Sequence, residues 1–349
     1  MIAATRGTED FVAAGCSLVI VFHVDLPRLT RCLQSIMASD AAGAEVIVVD
    51  SASSENCSDM LKREFPTVQY VRSDENIGSS GGWNLGATHA SRKLIVLMND
   101  DVRVAPRWLC ELVRPLQDPD VGITSGLVIL EGTRTINSMG GACDLHGFSY
   151  AIGCGESIET FRTSSQPKPF FAVGTVFATR TDVLHRVGGF DQKMFMYSDD
   201  LDFSWRVRLA GYNLSFVEDS VVYHEWHGSG MHLNRIVFFG ERNRLRMILK
   251  TYSWPALVWL SPSFVLIRFA RLAWLMARHR QLARSVVSAW GHAIRELPDT
   301  IAERRVVQRT RRVHDRDVLK ALSFASLEMA QFLGLAKHPL LSNFGIRRA

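Results

Sequence analysis

Short apolar runs alternate with helical patterns along the first third of the chain. The runs are continuously apolar and cover residues 17–22, 45–49, 68–71 and 94–98. Leu29, Leu33 and Ile36 mark one face of a helix between the first two runs. Uninterrupted apolar strands separated by helices are typical of a parallel sheet that is covered on both faces, so we predict an α/β fold.

The pattern changes after the fourth strand. The next segments predict a helix at 106–117, irregular strands and turns at 121–150, and strands at 170–178 and 220–223. From Met231 onward, helical periodicity dominates. We therefore expect an α/β domain over 1–230, with halves at 17–118 and 119–230, and a helical region over 231–349.

Charge is divided unevenly between these regions, although the whole chain carries a net charge of only +5. Residues 1–234 hold 19 Lys and Arg against 28 Asp and Glu, whereas residues 235–349 hold 21 against 7. The last part is therefore strongly basic. Such a segment is suited to binding acidic lipid headgroups, nucleic acid or an anionic substrate.

Part of this positive charge lies on one predicted helix. Arg268, Arg271 and Arg278 share a face opposite an apolar face, as in basic helices that lie on membrane surfaces. The alternative is an ordinary packed helix with a solvated arginine face. The apolar stretch 252–267 contains two prolines and is shorter than the roughly 20 residues that a membrane span needs, so we expect a buried or interfacial element.

Three carboxylates, Asp199, Asp200 and Asp202, fall within four positions at the start of a predicted helix. The helix macrodipole favours negative charge at this end, so a solvated, capped N-terminus is one explanation. The other explanation is a site that binds a polyanion through a divalent cation, because a second acidic cluster and a histidine lie near other strand ends.

The second acidic cluster, Asn99-Asp100-Asp101, directly follows an apolar strand. Adjacent carboxylates repel one another and resist burial unless a cation or hydrogen-bond donors compensate. Mg²⁺ or Mn²⁺ bridging a diphosphate explains the pair, and an Asx-turn is the structural alternative. His224 follows a strand and is the histidine that we expect to join the oxygen ligands. No zinc motif fits the histidine spacing in this region.

A glycine-rich stretch, Asn76-Ile-Gly-Ser-Ser-Gly-Gly-Trp-Asn-Leu-Gly86, leads into a helix predicted at 81–90. Exposed backbone amides at the start of a helix bind phosphate groups. The stretch is not G-x-G-x-x-G and follows the third strand, so dinucleotide binding is disfavoured. A helix start built from small packing residues is the alternative.

Taken in order, these segments resemble glycosyltransferase family 2, the inverting nucleotide-sugar glycosyltransferases, and especially its bacterial rhamnosyltransferase-like branch. The resemblance covers about residues 17–253. Its motifs are Val19-Ile-Val-Phe-His-Val24, Val48-Val-Asp-Ser-Ala-Ser53, the stretch 76–86, Asn99-Asp-Asp101, the run 188–202, the His224 segment and Glu241-Arg-Asn-Arg-Leu-Arg246. It implies the GT-A fold, a mixed and mostly parallel sheet flanked by helices, here with a helical basic C-terminal extension.

The resemblance, together with the residue chemistry, assigns roles to individual side chains. Asp200 matches the catalytic base of the family. The metal, Mn²⁺ or Mg²⁺, is expected on Asn99, Asp101 and His224. The residues expected to hold the donor are Val21, His23, Asp50, Asn76, Gly78, Gly81, Asn84 and Asp100. Those expected to bind the acceptor are Asp199, Asp202 and Trp226.

The implied reaction moves a sugar from dTDP-rhamnose or a UDP-sugar to a hydroxyl of a glycan or lipid-linked acceptor, with inversion, for bacterial surface polysaccharide. A nucleotidyltransferase of the same fold is an alternative, but residues 24–28 lack the glycine of its phosphate-binding loop. A nucleic-acid-binding protein that uses the basic C-terminal region is a second alternative. It leaves the acidic clusters unexplained, so we expect no nucleic acid partner.

The six cysteines form no C-x-x-C pair, which indicates free thiols in a reducing compartment. The first residues do not show the pattern of a signal peptide. We therefore expect the enzyme in the cytoplasm, on the inner face of the bacterial cytoplasmic membrane. There the basic region contacts the membrane surface or packs in a homodimer.

Overall fold

The computed structural model describes residues 13–161, 168–225 and 231–323. Contacts among the described residues group the chain into two compact units. The first unit spans Met1–Gly141, Ala151–Val207 and Tyr212–Trp226. The second unit spans Ala142–Tyr150, Arg208–Gly211 and His227–Ala349.

A mixed sheet forms the centre of the first unit. The described strands are β1 (Cys16–Phe22), β2 (Glu45–Ser51), β3 (Gln69–Ser73), β4 (Leu94–Asn99), β5 (Val102–Val104), β6 (Val121–Leu130), β7 (Ile136–Ser138), β8 (Gly141–Cys143), β9 (Ser149–Ala151), β10 (Val176–Arg180) and β11 (Asn213–His224). Nine of them form the sheet, in the order β3-β2-β1-β4-β10-β6-β11-β5 with β7 paired to β6. β8 and β9 pair with each other.

The sheet contains a parallel block, β3-β2-β1-β4, and continues through β10, which runs antiparallel to both β4 and β6. The register places Val21 of β1 beside Asn99 of β4, and Phe22 beside Asp50 of β2. The carboxyl ends of three neighbouring strands therefore meet at one edge. The predicted mixed sheet is confirmed.

Helices flank this sheet. They are α1 (Leu26–Met37), α2 (Cys57–Glu64), α3 (Gly78–His89), α4 (Trp108–Val113), α5 (Ile158–Phe161), α6 (Thr181–Arg186) and α7 (Asp199–Leu209). α1 begins where the Asp25 side chain accepts a hydrogen bond from the Arg28 backbone N–H, 3.1 Å away. Its predicted apolar face, Leu29, Leu33 and Ile36, is fully buried.

Glycine lets α3 lie close to the sheet. A Cβ atom at Gly86 would lie 2.2 Å from Cγ1 of Val19 in β1, which is closer than two carbon atoms can approach. Only glycine fits where helix and strand backbones come this near. Gly86 of the predicted phosphate-binding stretch thus has a packing function, and phosphate binding by the stretch stays a prediction.

Some elements differ from the pattern in the sequence. β6 is a ten-residue strand in a stretch that predicts irregular structure, because Gly122 and Gly126 leave room for Tyr212 and Ser220. β11 begins before the predicted segment 220–223, since most of its side chains are only partly buried and show no clear apolar period. The helix predicted at 106–117 ends early in α4, and a 3₁₀ turn containing Pro115 follows.

The second unit is mainly helical. Its helices are α8 (Leu233–Thr251), α9 (Trp254–Arg278), α10 (Arg280–Arg295), α11 (Leu297–Thr310) and α12 (Asp315–Leu319). Leu275 of α9 packs with Leu282 and Val286 of α10 in a small core. The predicted helical C-terminal region is confirmed.

α9 is longer than the sequence pattern predicts. It has 25 residues and, among the described helices, is the one long and apolar enough to cross a membrane by length and composition. The expectation that the stretch 252–267 is too short for a span fails on length, because the helix continues to Arg278. A single such helix is weak support for a span, since core helices of soluble proteins pass the same test.

The arginine face of α9 is not solvated along its length. Arg268 is 9% exposed, and both Arg268 and Arg271 donate hydrogen bonds to Glu241 of α8. Arg278 is exposed. Both interpretations of this helix, a membrane-facing basic face and a solvated arginine face, require accessible arginines, and both are wrong for Arg268, because it is buried and paired with a buried carboxylate.

Candidate active site

Three predicted donor-binding residues meet at the carboxyl ends of β1 and β2. The Nδ1 atom of His23 lies 2.7 Å from the Ser51 carbonyl oxygen, and its Nε2 atom lies 3.0 Å from Nδ2 of Asn76. The Asn76 side-chain oxygen accepts a hydrogen bond from the Gly78 N–H at 3.0 Å. The fold thus joins the end of β1 to the start of α3.

The Asp50 carboxylate is fully buried at the end of β2. It accepts hydrogen bonds from the Tyr70 hydroxyl at 2.8 Å, the Arg72 guanidinium at 2.5 Å and the Ser53 N–H at 2.8 Å. Burial alone raises the pKa of Asp50, but these donors outweigh it and the pKa lies below its usual range. Asp50 is therefore charged and holds Tyr70 and Arg72 at this edge. Direct contact with a nucleoside stays a prediction.

The start of α3 is bonded to the segment that precedes α7. Gly78 has a φ of +65°, and a Cβ atom there would lie 2.1 Å from the Phe195 carbonyl oxygen. That oxygen accepts the Ser80 N–H at 3.2 Å. The hydroxyls of Ser79 and Ser80 donate to Asp199 at 2.6 and 3.1 Å. Asp199 is 5% exposed, so the prediction that it binds acceptor is not supported.

Backbone strain is concentrated just before α7. Phe195, Tyr197 and Ser198 have φ values of 65°, 67° and 62°, in the region that side chains other than glycine disfavour. Each such residue costs about 1–3 kcal/mol and persists only where surrounding contacts impose it. This strained turn sets the direction in which Asp199 and Asp200 leave the backbone.

Asp200, unlike Asp199, is partly exposed. Its two carboxylate oxygens accept hydrogen bonds from the Gly174 N–H at 2.8 Å and the Leu201 N–H at 2.7 Å. Burial, followed by the charge of Asp199, raises the pKa of Asp200 to about 7. A carboxylate with this pKa accepts a proton effectively at neutral pH.

Asp202 is fully buried on the inner face of α7. Its Oδ2 accepts a hydrogen bond from Arg206 Nε at 2.8 Å. Arg206 also donates to the carbonyl oxygens of Val187 and Gly189, both at 2.7 Å. The prediction that Asp202 binds acceptor is not supported, because its carboxylate belongs to this buried ion pair.

Asp101 and His224 are brought together although 123 positions separate them. Asp101 Oδ2 lies 3.1 Å from His224 Nε2, and His224 Nδ1 lies 2.9 Å from the Asn137 side-chain oxygen. Burial raises the pKa of Asp101, but the hydrogen bond and charge of His224 and the charge of Arg28 bring it below its usual range. Asp101 is therefore ionised in place.

Asp100 differs from its neighbour. Burial and the charge of Asp101 raise the pKa of Asp100 well above its usual range, and Arg28 offsets only part of this. The two carboxylates repel each other, as the sequence predicts. A bound cation would relieve this repulsion.

The residues at this edge fit a divalent cation shared with a ligand. Asp101 Oδ1 is buried and accepts no hydrogen bond from any described residue. Within the described ranges, no three His, Cys, Asp or Glu side chains are arranged as a ready-made metal cage. Mg²⁺ is commonly held by one or two carboxylates plus substrate phosphates, so the Asp101–His224 pair suffices when a diphosphate supplies the rest. Asn99 ends β4 two residues before Asp101.

A short segment connects the two acidic clusters. The Thr175 carbonyl oxygen accepts the Asn99 N–H at 3.1 Å, and the next residue back, Gly174, donates to Asp200. The end of β4, two residues before Asp101, and the candidate base Asp200 are therefore both hydrogen-bonded to the 174–175 backbone.

The remaining predicted donor residues have structural contacts. Both amide atoms of Asn84 bond the Phe190 backbone at 2.8 Å, so its predicted donor contact is not supported. Gly81 packs against Ile77, and Val21 packs on α3, where a Cβ atom at Gly82 would lie 2.6 Å from it. Trp226 lies outside the described residues.

Sequence reasoning missed Asn137 and Arg28. Asn137 lies in β7, within a stretch that predicts irregular turns, and no local motif distinguishes it. Arg28 Nε lies 3.2 Å from Glu225, and its charge lowers the pKa of both Asp100 and Asp101. A basic residue in the first turn of α1 was the only signal, and it does not reveal its partners.

Two family models match the chain. The model described as Glycosyl transferase family 2 matches residues 17–154, and the model described as Glycosyl transferase family group 2 matches residues 94–291. The second match covers more than half of the 349 residues.

Among curated relatives, the O-antigen biosynthesis protein RfbC of Myxococcus xanthus is 25% identical over 218 residues, or 59% of this chain. The chain spans 17% of the length of RfbC and less than half of the length of other curated relatives that it matches.

Two solved structures show the fold. GalNAc-T7 with UDP, GalNAc and Mn²⁺ has a TM-score of 0.55 and 20% identity, covering 67% of this chain and 47% of that one. The mannosyltransferase PcManGT from Pyrobaculum calidifontis with GDP-Man and Mn²⁺ has a TM-score of 0.51 and 16% identity, covering 88% and 95%.

Proposed function

Because this chain belongs to glycosyl transferase family group 2, we propose that it transfers a sugar from a nucleoside-diphosphate donor to a hydroxyl acceptor with inversion. The observation that carries the proposal is Asp200. It is partly exposed, its carboxylate is held by two backbone amides, and its pKa is raised to about 7. These are the properties of a general base.

In the proposed reaction, Asp200 accepts the proton of an acceptor hydroxyl. The hydroxyl oxygen forms a bond to the anomeric carbon as the bond from that carbon to the diphosphate oxygen breaks. The products are the glycosylated acceptor and a nucleoside diphosphate, and the anomeric centre inverts because one displacement occurs. Asp199 assists by keeping the pKa of Asp200 high.

The edge formed by β1, β2 and the start of α3 would hold the donor. His23 and Asn76 face the nucleoside end, beside the Arg72 and Tyr70 side chains that Asp50 positions. Asp101 and His224, with Asn99 and the neighbouring Asp100, would hold Mn²⁺ or Mg²⁺. Mn²⁺ in both solved structures supports this choice. When bound, the cation stabilises negative charge on the diphosphate.

The proposal also extends to the donor sugar and the acceptor. The similarity to RfbC favours a role in bacterial surface polysaccharide, with dTDP-rhamnose or a UDP-sugar as donor and a glycan or lipid-linked acceptor. Neither alternative function is favoured by a specific observation. The buried arginines Arg246, Arg268 and Arg304 are engaged with protein groups, which weighs against nucleic acid binding.

We also propose that the protein works on the cytoplasmic face of the membrane. Several apolar side chains of α9 are more than half exposed: Trp254, Val258, Trp259, Val265, Leu266, Phe269 and Met276. In a flotation assay, the wild type should float with anionic vesicles. The double substitution Trp259→Ser/Leu266→Ser should reduce the fraction of protein that floats. If the wild type is instead a soluble dimer that these substitutions dissociate, the exposed side chains of α9 contact a second copy of the chain and not a membrane.

A thermal-shift screen of UDP-, dTDP- and GDP-sugars in Mn²⁺ tests the donor class. We expect one nucleotide series to raise the melting temperature. NMR of the product formed from that donor should show the anomeric configuration opposite to the donor's. Retained configuration would contradict the single displacement, and no stabilisation by any donor would contradict the proposed activity.

A further inference from the structure

A buried tryptophan lies beside the backbone that holds the proposed base. The Gly174 N–H donates to Asp200 Oδ2 at 2.8 Å, so the position of Gly174 decides where this oxygen lies. A Cβ atom at Gly174 would lie 2.9 Å from Cη2 of Trp83 and 3.5 Å from Oδ2 of Asp200. The edge of the indole ring and the carboxylate therefore both lie within contact distance of one point beside Gly174.

Three phenylalanine rings hold the side chain of Trp83 in this place. Trp83 is 2% exposed, and its ring centre lies 5.8 Å from that of Phe177 and 5.0 Å from that of Phe190. The Phe190 ring stacks on the ring of Phe203, with centres 4.6 Å apart. Phe177 belongs to β10, and Phe203 belongs to α7, the helix that carries Asp200. These four rings, which we call the aromatic cluster, therefore connect α3, β10 and α7.

The indole nitrogen of Trp83 does not explain why a tryptophan stands at this position. Its Nε1 atom is buried and has no hydrogen-bond partner among the described residues. A buried N–H that makes no hydrogen bond has lost its contact with water without compensation. Phenylalanine would avoid this cost, but it lacks the outer ring that reaches Gly174. The reach of the indole ring toward Gly174 is thus the property of tryptophan that this position uses.

We propose that Trp83 is a positioning residue for the proposed base, because its ring sets the place of the Gly174 N–H and excludes water from that side of the Asp200 carboxylate. The proposal rests on the proposed function, which assigns Asp200 as the base. Trp83 itself is too deeply buried to touch a substrate. It acts on the reaction only through Gly174 and Asp200.

The electrostatic surroundings of Asp200 give this role a measurable effect. Burial is the largest cause that raises the pKa of Asp200, and the charge of Asp199 is the next. The backbone N–H groups of Gly174 and Leu201, which do not titrate, lower that pKa. A smaller side chain at position 83 admits water and reduces the effect of burial, while Asp199 stays in place. The pKa of Asp200 should then fall, so that the base is deprotonated at lower pH.

Trp83→Phe tests the effect on the base. We expect the rise of kcat/KM with pH, and the titration midpoint of the Asp200 carboxyl signal in ¹³C NMR, to move to lower pH by about one pH unit. The NMR signal is assigned by its loss in Asp200→Asn, so this titration needs no turnover. Trp108→Phe is the matched control, because it makes the same change at a fully buried tryptophan of α4. The control should lower the melting temperature but leave both midpoints unchanged.

A pair of substitutions tests the contact between Trp83 and Gly174. Gly174→Ala places a methyl group 2.9 Å from Trp83 Cη2, so the ring or the backbone must move. Because small displacements of a catalytic group are costly, kcat should fall about tenfold or more. Phenylalanine has no Cη2 atom, so Trp83→Phe/Gly174→Ala should have a higher kcat than Gly174→Ala. Two independent structural defects would instead multiply their losses.

Two results would overturn the proposal. One is that Asp200 titrates at the same pH in Trp83→Phe, Trp108→Phe and the wild type. The other is that the double substitution is no more active than Gly174→Ala when circular dichroism shows both to be folded. If the wild type transfers no sugar, the NMR titration still decides the first result. A midpoint that moves in Trp83→Phe alone would then retain the link from Trp83 to Asp200, and only the proposed reaction would fail.

Discussion

The two acidic clusters of the first unit look alike in sequence, but their candidate functional residues, Asp101 and Asp200, have opposite pKa shifts. At residues 99–101, His224 and Arg28 hold the pKa of Asp101 below its usual range. At residues 199–202, Asp200 receives hydrogen bonds from backbone amides, and burial with the neighbouring Asp199 raises its pKa to about 7. Asp101 thus presents a fixed negative charge, and Asp200 presents a group that exchanges a proton.

The difference comes from the partners of each carboxylate. A cationic or imidazole partner stabilises the charged form, which a metal ligand requires. A second carboxylate and burial favour the neutral form, which brings a base into the working range of pH. Asp202 shows a third outcome, in which the carboxylate is buried in the core and paired with Arg206. Adjacent aspartates in a sequence therefore predict a site but not the role of each residue.

The largest expected effect is on turnover. Asp200→Asn removes the proton acceptor and should lower kcat by ~10²–10⁴-fold while donor binding is retained. Steady-state kinetics and donor calorimetry measure the two quantities. Asp219→Asn, an exposed substitution on β11, is the control. If Asp199→Asn shows the large loss and Asp200→Asn stays near wild type, the two residues have been assigned in the wrong order.

The next effect concerns the other cluster. Asp101→Ala removes the charged partner of His224, so binding of UDP or dTDP in Mn²⁺ should weaken by more than ~10²-fold, while binding in EDTA should change little. Calorimetry with and without Mn²⁺ makes this comparison. Asp120→Ala removes an exposed carboxylate from the same unit and should leave both affinities unchanged. Equal Mn²⁺-dependent affinity in Asp101→Ala and wild type would contradict the metal assignment.

A smaller effect is expected at Asn137. Its side-chain oxygen lies 2.9 Å from His224 Nδ1 and orients the ring so that Nε2 faces Asp101. Asn137→Leu should weaken Mn²⁺ binding by ~10–100-fold without changing nucleotide binding in EDTA. Direct Mn²⁺ titration by electron paramagnetic resonance measures this. Asn213→Ala, at the exposed start of β11, is the control, and an unchanged Mn²⁺ affinity in Asn137→Leu would remove Asn137 from the site.

The smallest effect is a shift in pH dependence. A general base must be deprotonated, so kcat/KM should rise with pH up to about 7, where Asp200 titrates. Asp199 raises the pKa of Asp200, so Asp199→Asn should move this rise to lower pH while activity at pH ~8 is largely retained. The amide oxygen that this substitution introduces can still accept the bonds from Ser79 and Ser80. A rise that stays in place would show that the charge of Asp199 does not act on the base.

Local patterns predicted most elements of the fold. The strands β1 to β4 and the helix α1 follow from apolar runs and helical spacing, because these depend on residues close together in the chain. β6 and β11 were harder to predict from local sequence, because their pairing depends on glycines that leave room for side chains about 90 positions away. The expectation that Arg268 lies on an accessible face of α9 was wrong for a similar reason, since its partner Glu241 lies on another helix.

The sequence by itself determined the α/β architecture, the helical basic end and the two acidic clusters, since spacing and residue type carry that information. Tertiary structure alone decided which carboxylate is charged, neutral or buried. Asp101 owes its state to His224, 123 positions away, and Asp199 is held by serines 119 and 120 positions away. Desolvation and hydrogen bonding depend on what surrounds a group in space, and no local pattern records those neighbours.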